Sequence, residues 1–273
     1  MSTFEAILLG AIQGITEFLP VSSSGHLVLF QKILKISEPA LFFDTMVHVG
    51  TLAAVFVVLW KDIRDILRRP IQPLTGYLIL ATLPAVIIAL AGKDLIEAAF
   101  ASGSFLGCAF LITAALLTVS ELLSRRMGAG SAGGLKGKDD IRWPDALVVG
   151  ILQGVAIIPG VSRSGATLSG ALSRGLNRDF AARFSFLLSI PAILGALVLQ
   201  VKDLADGGGA AAGSGIGALP IIAGTVAAAV VGFFSIRLML KIVRERSLLG
   251  FAIYTGILGA LVLMDQQISH VFF

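Results

Sequence analysis

The sequence predicts an all-α polytopic membrane protein built as an inverted-topology repeat, with six transmembrane helices plus two re-entrant helix-loop-helix segments. Three observations carry this. With 56% hydrophobic and 14% charged residues over 273 positions and a mean hydropathy of +0.92, the chain lies outside the range of soluble globular domains. Its apolar runs approach 20 residues, the length that crosses the hydrocarbon core. A pattern, SxSG, occurs twice, 140 positions apart, each time in a polar break inside a long apolar stretch.

The first stretch, residues 4–35, is broken by LPVSSSGH into arms of about 10 to 16 residues, too short to cross singly. Irregular backbone at membrane depth is tolerated only where protein buries it or it lines a wet cavity. The stretch therefore reads as a re-entrant hairpin. Spans follow at 41–60, 75–92 and 104–123 and complete a first repeat over 1–127. A Gly-rich, basic linker, 128–143, includes GAGSAGGLKGK at 128–138. The second repeat, 144–273, opens on a re-entrant hairpin, 144–174, broken by IPGVSRSGA, and continues with spans 181–200, 218–240 and 250–267. The Gly/Ala run at 207–217, like 128–138, reads as flexible and without chemistry.

Overlaid without a gap, Gly10 to Gly25 and Gly150 to Gly165 agree at Gly10/Gly150, Gln13/Gln153, Gly14/Gly154, Val21/Val161, Ser22/Ser162, Ser24/Ser164 and Gly25/Gly165. They differ where Glu17 faces Ile157, Ser23 faces Arg163 and His26 faces Ala166. Shared residues read as scaffold and unshared ones as chemistry. Three spans separate the hairpins, and an odd number reverses direction, so the halves should be inverted. Basic residues agree: Lys61, Arg64, Arg68 and Arg69 lie in 61–74; Arg125, Arg126, Lys136, Lys138 and Arg142 in 124–143; Lys241, Arg244 and Arg246 in 241–249. Those loops should be cytoplasmic. The alternate loops carry only Lys93 and Lys202. Both termini then face outward, with the first hairpin entering from outside and the second from the cytoplasm; Lys32 and Lys35 run against this. The net charge of +4 thus sets topology instead of marking an acidic partner. Lone Cys108 excludes an internal disulfide and, in its apolar setting, reads as an inert packing residue. No cleavable signal peptide is expected, because no basic segment precedes the first apolar run.

Gln13 and Glu17, four apart, share one helical face. A carboxylate inside a membrane is costly and by default functional. One carboxylate and one amide suit a divalent cation such as Mg²⁺, which keeps waters and completes its shell with phosphate. After Pro20, the run Ser22-Ser23-Ser24-Gly25-His26 should open a helix near Ser24, and free amides with hydroxyls at a helix start form an anion site. Capping accounts for one serine, Ser22 or Ser24. It does not account for His26, three residues beyond Ser23 and placed to act as base or relay. The second break repeats the loop with Ser162, Ser164, Gly165 and Thr167, and adds Arg163 at its tip, the natural bidentate phosphate clamp. Asp44 and His48, four apart, either support the loop from behind or satisfy each other. Arg174, Arg178 and Arg183 read as orientation anchors, and His270 as bland.

QGITEFLPVSSSGH followed far downstream by PGVSRSGAT resembles the undecaprenyl-diphosphate phosphatase family of bacterial membranes, the bacitracin-resistance type, over nearly the whole chain. FDTMVHVGT at 43–51 also resembles a family segment. The resemblance implies metal-dependent hydrolysis of undecaprenyl diphosphate to the monophosphate carrier lipid and inorganic phosphate, in the bacterial cytoplasmic (inner) membrane. It implies Glu17, Ser23, His26 and Arg163 as the essential residues, with Ser22, Ser24, Gly25, Ser162, Ser164, Gly165 and Thr167 around phosphate. Gln13 occupies the acidic-or-amide position that joins Glu17 at the cation, Mg²⁺ or Ca²⁺. Whether Ser23 or His26 is the nucleophile stays open. Expected partners are the polyisoprenyl diphosphate and membrane lipid, with no nucleic acid; a homodimer is allowed. Phosphatidic-acid-type phosphatases also carry SGH, but Ser169 stands where they need a histidine. The serious rival is a secondary transporter or flippase of lipid phosphates, which shares inverted repeats and broken segments.

Overall fold

The computed structural model describes residues 1–36, 41–92, 95–96, 103–130, 135–205 and 216–271. Lys93 and parts of both glycine-rich runs, 131–134 and 206–215, lie outside the described residues. Among the described residues eleven α-helices are bounded, in order: α1 Thr3–Thr16, α2 Ser23–Ile33, α3 Leu41–Val58, α4 Trp60–Arg68, α5 Pro73–Ala91, α6 Leu106–Gly130, α7 Trp143–Val155, α8 Arg163–Ser173, α9 Arg178–Ala205, α10 Ala218–Glu245 and α11 Leu249–Met264. A π-helical turn, Asp265–Ser269, follows α11. Among the described residues the only pairing of strand type is one isolated bridge, Lys136 with Leu176.

Both broken stretches are helix pairs, α1/α2 and α7/α8, with arms of 14, 11, 13 and 11 residues. Among the described residues five helices, α5, α6, α9, α10 and α11, are long and apolar enough to cross a membrane alone, and α3 with α4 adds a sixth if the pair, bent by 78°, counts as one broken span. That bend falls where composition changes. From Leu52 to Val58 the helix carries no polar side chain; from Trp60 only one stripe is apolar. In α4, Ile63 is buried, while Trp60, Leu67, Lys61, Arg64 and Arg68 are exposed, the pattern of a helix lying at headgroup level. α6, α9 and α10 outrun the apolar segments expected for them, because a helix continues past the hydrocarbon limit while its charges meet water.

The first arm of each pair packs across the halves, α1 on α10 and α7 on α5. Here the shared glycines find their cause. A Cβ on Gly10 would run into the Gly224 carbonyl oxygen, and one on Gly150 would sit 2.7 Å from the carbonyl oxygen of Ala81. Only glycine allows both crossings. α3 packs on α10 and α9, and α6 pairs with α11.

The two ends of α10 have different company. At its start, Ile216 and Ile221 join Met1, Ala6, Leu34 and Ile36 from the ends of the α1/α2 pair. At its far end, Arg178 donates to the Val243 and Arg246 carbonyls and to Glu121, Arg244 pairs with Asp179, and Arg125 donates to Ser247. Arg183 pairs there with Asp62 and Asp179. The three basic loops thus gather at one end. Arg174 pairs with Asp145, joining the outer ends of α7 and α8, and Lys136 binds the same carboxylate. Burial alone would raise that carboxyl, but hydrogen bonds from Lys136, the Arg142 amide and Arg174 outweigh it and hold it below its ordinary range.

Two expectations need correction. Cys108 does not pack in the interior; it is exposed on α6. The linker after residue 134 is ordered, because the Lys136 amide donates to the Gly175 carbonyl and its own carbonyl accepts from Asn177.

Candidate active site

The site assembles at the two loop tips. α1 ends at Thr16, and Glu17 follows as its C-cap, its amide donating to the Gln13 carbonyl. Phe18 is buried edge-on to Phe186, with centroids 5.4 Å apart, which pins the loop to α9. Ser22 then takes φ 75°, a region that costs a non-glycine residue about 1–3 kcal/mol. The turn lets it serve twice. Its hydroxyl accepts from the Gly25 amide at 3.1 Å, and its carbonyl accepts from the His26 amide and faces His26 Nδ1 at 2.7 Å. Ser162 repeats the cap, accepting from the Gly165 amide at 3.0 Å. The recurrent Ser-x-x-Gly is therefore an N-cap with its donor, and α2 begins at Ser23, α8 at Arg163.

Glu17, 6% exposed, is the hub. Its Oε2 accepts from Ser23 Oγ at 2.6 Å and Gln13 Nε2 at 2.8 Å, with His48 Nε2 at 3.5 Å. Its Oε1 accepts from Arg163 Nη2 at 2.5 Å, across the two halves of the chain. Four helices thus converge on one carboxylate. Two buried polar atoms there have no partner, Arg163 Nη1 and Gln13 Oε1.

The seven groups expected around phosphate divide unevenly. Ser22, Ser162 and the Gly25 and Gly165 amides are engaged in the caps. Ser164 Oγ donates to the Leu19 carbonyl at 3.0 Å, stitching one tip to the other, and Thr167 binds the Arg163 carbonyl and Ser185. Of the seven, the half-buried Ser24 hydroxyl alone has no hydrogen bond among the described residues. The first-turn amides of Ser23, Ser24, Arg163 and Ser164 lack intrahelical acceptors. The groups left without partners at the two tips are thus backbone amides at the helix starts and the Arg163 Nη1 nitrogen.

The expected pairing of Ser23 with His26 is not made. Ser23 turns to Glu17, and both His26 ring nitrogens are engaged, Nδ1 with the Ser22 carbonyl and Nε2 with Tyr254 Oη at 2.7 Å. Nor do Asp44 and His48 pair through side chains: Asp44 accepts from Gln31, while His48 Nδ1 faces the Asp44 carbonyl and Nε2 faces Glu17. Sequence reasoning missed Tyr254 and Gln31. A tyrosine in an apolar span reads as an ordinary interface anchor, and nothing local ties residue 254 to residue 26.

A cation would find few protein ligands here. Among the described residues no group of three or more His, Cys, Asp or Glu side chains is placed to hold one. The unpaired Gln13 Oε1 beside the Glu17 carboxylate nevertheless fits a hard, oxygen-seeking ion that takes its remaining ligands from water and phosphate.

A helical membrane protein whose two broken helix pairs bring a hydroxyl, an imidazole, a carboxylate and a guanidinium to their tips belongs with the intramembrane phosphoryl-transfer proteins in class. More particularly, residues 6–261 match the family described as bacitracin resistance protein BacA, and the chain belongs to that family. A relative from Carboxydothermus hydrogenoformans, named undecaprenyl-diphosphatase, is 45% identical over 266 residues, covering 97% of this chain and 98% of its own. Undecaprenyl-diphosphatase 3 of Bacillus cereus is 41% identical over 266 residues with the same coverage. An undecaprenyl-diphosphatase of Methanosphaera stadtmanae is 40% identical over 286 residues, again 97% of this chain and 98% of its own.

Proposed function

We propose that this protein hydrolyses undecaprenyl diphosphate to undecaprenyl phosphate and inorganic phosphate, recycling the carrier lipid for cell-wall synthesis. The observation that carries the mechanism is the 2.6 Å contact from Ser23 Oγ to Glu17 Oε2. Ser23 is the nucleophile and Glu17 its base. In the first step Ser23 Oγ attacks the terminal phosphorus, its proton passes to Glu17, and the bond from phosphorus to the bridging oxygen breaks with the electron pair leaving on the lipid phosphate. In the second, water attacks the phosphoserine, its proton passes to His26 Nε2, and the P–Oγ bond breaks as Glu17 returns the proton to Oγ. Arg163 leaves Glu17 to bind the phosphoryl oxygens, with the first-turn amides of α2 and α8 beside it. Glu17 and Gln13 would hold Mg²⁺ or Ca²⁺, which supplies charge neutralisation at the diphosphate.

The architecture that fits this chemistry is an inverted repeat with two re-entrant pairs. Its support is the reciprocal packing of α1 on α10 and α7 on α5, and the opposite ends of α10 at which the two pairs begin. By the positive-inside rule the end with the basic loops is cytoplasmic. The α1/α2 pair then opens the site to the outer face of the inner membrane. The same reciprocity suits a lipid-carrying cycle, so a secondary flipping role is part of this reading.

Purified protein in detergent should release phosphate from a long-chain isoprenyl diphosphate with Mg²⁺ or Ca²⁺ and lose activity with chelator. Rapid quench should trap phosphoserine at Ser23. Phosphohistidine at His26 instead would overturn the assignment, and lipid movement across vesicles without hydrolysis would favour the transporter. For topology, Cys108→Ser removes the exposed thiol, and Arg68→Cys in that background should react with an impermeant reagent only after lysis.

A further inference from the structure

His26 is held more tightly than a freely turning base would be, and the residue that completes the hold comes from the far end of the chain. Nδ1 lies 2.7 Å from the Ser22 carbonyl oxygen, which can only accept, so Nδ1 carries hydrogen. In the neutral ring Nε2 is then the lone-pair nitrogen, and Tyr254 Oη, 2.7 Å away, donates to it. The Tyr254 ring lies almost parallel to the imidazole, 13° off at 5.8 Å, while Phe110 meets it edge-on, 81° at 5.5 Å. Packing around these rings explains the placement. Leu258 and Val262 of α11, Leu106 and Phe110 of α6, and Val28 and Leu29 of α2 form one apolar cluster, and Tyr254 stands one turn before Leu258. Having donated its own hydrogen, the Tyr254 oxygen keeps both lone pairs to accept from a water.

We propose that Tyr254 is the proton relay between the attacking water and His26: its hydroxyl donates to Nε2 and its oxygen accepts from the water, so that the water's proton moves to Oη as the phenol's own proton moves to Nε2. The proposal rests on the two-step reading above and deepens it. Ser23 has its own base in Glu17, so the imidazole is free for hydrolysis of the phosphoserine. There the contact between Nε2 and the phenol decides whether water can pass a proton through Oη to the ring as it attacks phosphorus. A ring turned over would present Cε1–H to the Tyr254 oxygen and accept nothing.

Tyr254→Phe keeps the stacking and removes the donor. The expected result is a fall in kcat of about tenfold with KM within about twofold, the effect of one lost hydrogen bond acting on a step after binding. Phosphoserine should accumulate at steady state. In ¹⁵N-histidine-labelled protein, which has only three histidines, the His26 Nε2 signal should move. In a His26→Ala background Tyr254→Phe should change kcat no further, since the phenol acts only through the ring. Full kcat in Tyr254→Phe with a moved Nε2 signal overturns the proposal, as does a loss that adds to that of His26→Ala, or a rise in KM alone. Tyr254→Leu, which removes ring and hydroxyl together, should fall further than Tyr254→Phe; equality would deny the stacking a part. If the wild type forms no phosphoserine, the two-step reading fails, while the cycle with His26→Ala still decides for or against Tyr254.

Discussion

Arg163→Ala separates two roles of one ion pair. The guanidinium is 18% exposed and the carboxylate 5%, so removing it leaves Glu17 buried with only Gln13, Ser23 and His48 near its charge. Stranding one member of a buried pair costs about 3–5 kcal/mol, and the residual exposure of Arg163 puts this case near the lower figure, about 3. Adding Glu17→Gln removes the stranded charge, so the double variant should recover most of that loss, ending within about 1 kcal/mol of the wild type. Activity behaves otherwise. An arginine that neutralises a transferring phosphoryl group contributes roughly 10³-fold or more, and no compensating neutral residue replaces it. The assay pairs denaturant unfolding of the purified protein with phosphate release, for the wild type, each single variant and the double. A single variant that keeps more than about a tenth of wild-type activity would refute the clamp. A double variant no more stable than Arg163→Ala would refute the stranded-charge argument.

Ser23→Ala should abolish the trapped phosphoserine and reduce phosphate release by at least about 10³-fold, with unfolding little changed; residual activity near wild type would return the nucleophile to His26. Ser162→Ala removes a cap and should cost about 1 kcal/mol, read by the unfolding midpoint, with KM changed only slightly. Gly10→Ala and Gly150→Ala should each destabilise by about 1–3 kcal/mol through overpacking, since each new Cβ meets backbone that cannot yield; neutral effects would show that the crossings can separate. The Asp145 carboxyl lies below its ordinary value in the folded chain, so its contribution is present above the ordinary Asp value, about pH 4, and is lost as pH falls through the folded value. Unfolding followed from pH 6 to pH 3 should show that acid-side loss, and Asp145→Asn should reduce it.

Much of the site was legible because its pieces are local. Gln13 and Glu17 meet at helical spacing, Ser23 lies six residues beyond Glu17, and the break that carries them interrupts an otherwise apolar run. The repeated Ser-x-x-Gly announced two equivalent helix starts, and its glycines and cap serines proved to be scaffold. The Ser23–His26 pairing was misread for a local reason too. Helical spacing puts the two residues near each other, but Ser22, turned into the left-handed region, offers its carbonyl to Nδ1 and aims the ring at α11. Tyr254 could not be foreseen, because its partner lies 228 positions away and its own span is predominantly apolar.

Apolar length and basic-loop spacing determine how many helices cross and which loops share an end, since those depend on the free energy of each segment against hydrocarbon and water. The duplicated break determines where helices must restart. Which groups actually touch is a property of packing. The close crossings of α1 on α10 and α7 on α5 decide that Arg163 reaches Glu17, and the apolar cluster of α2, α6 and α11 decides that a phenol closes on His26. Contacts between distant segments cost chain entropy that no local pattern records, so only the assembled tertiary structure fixes which of them form.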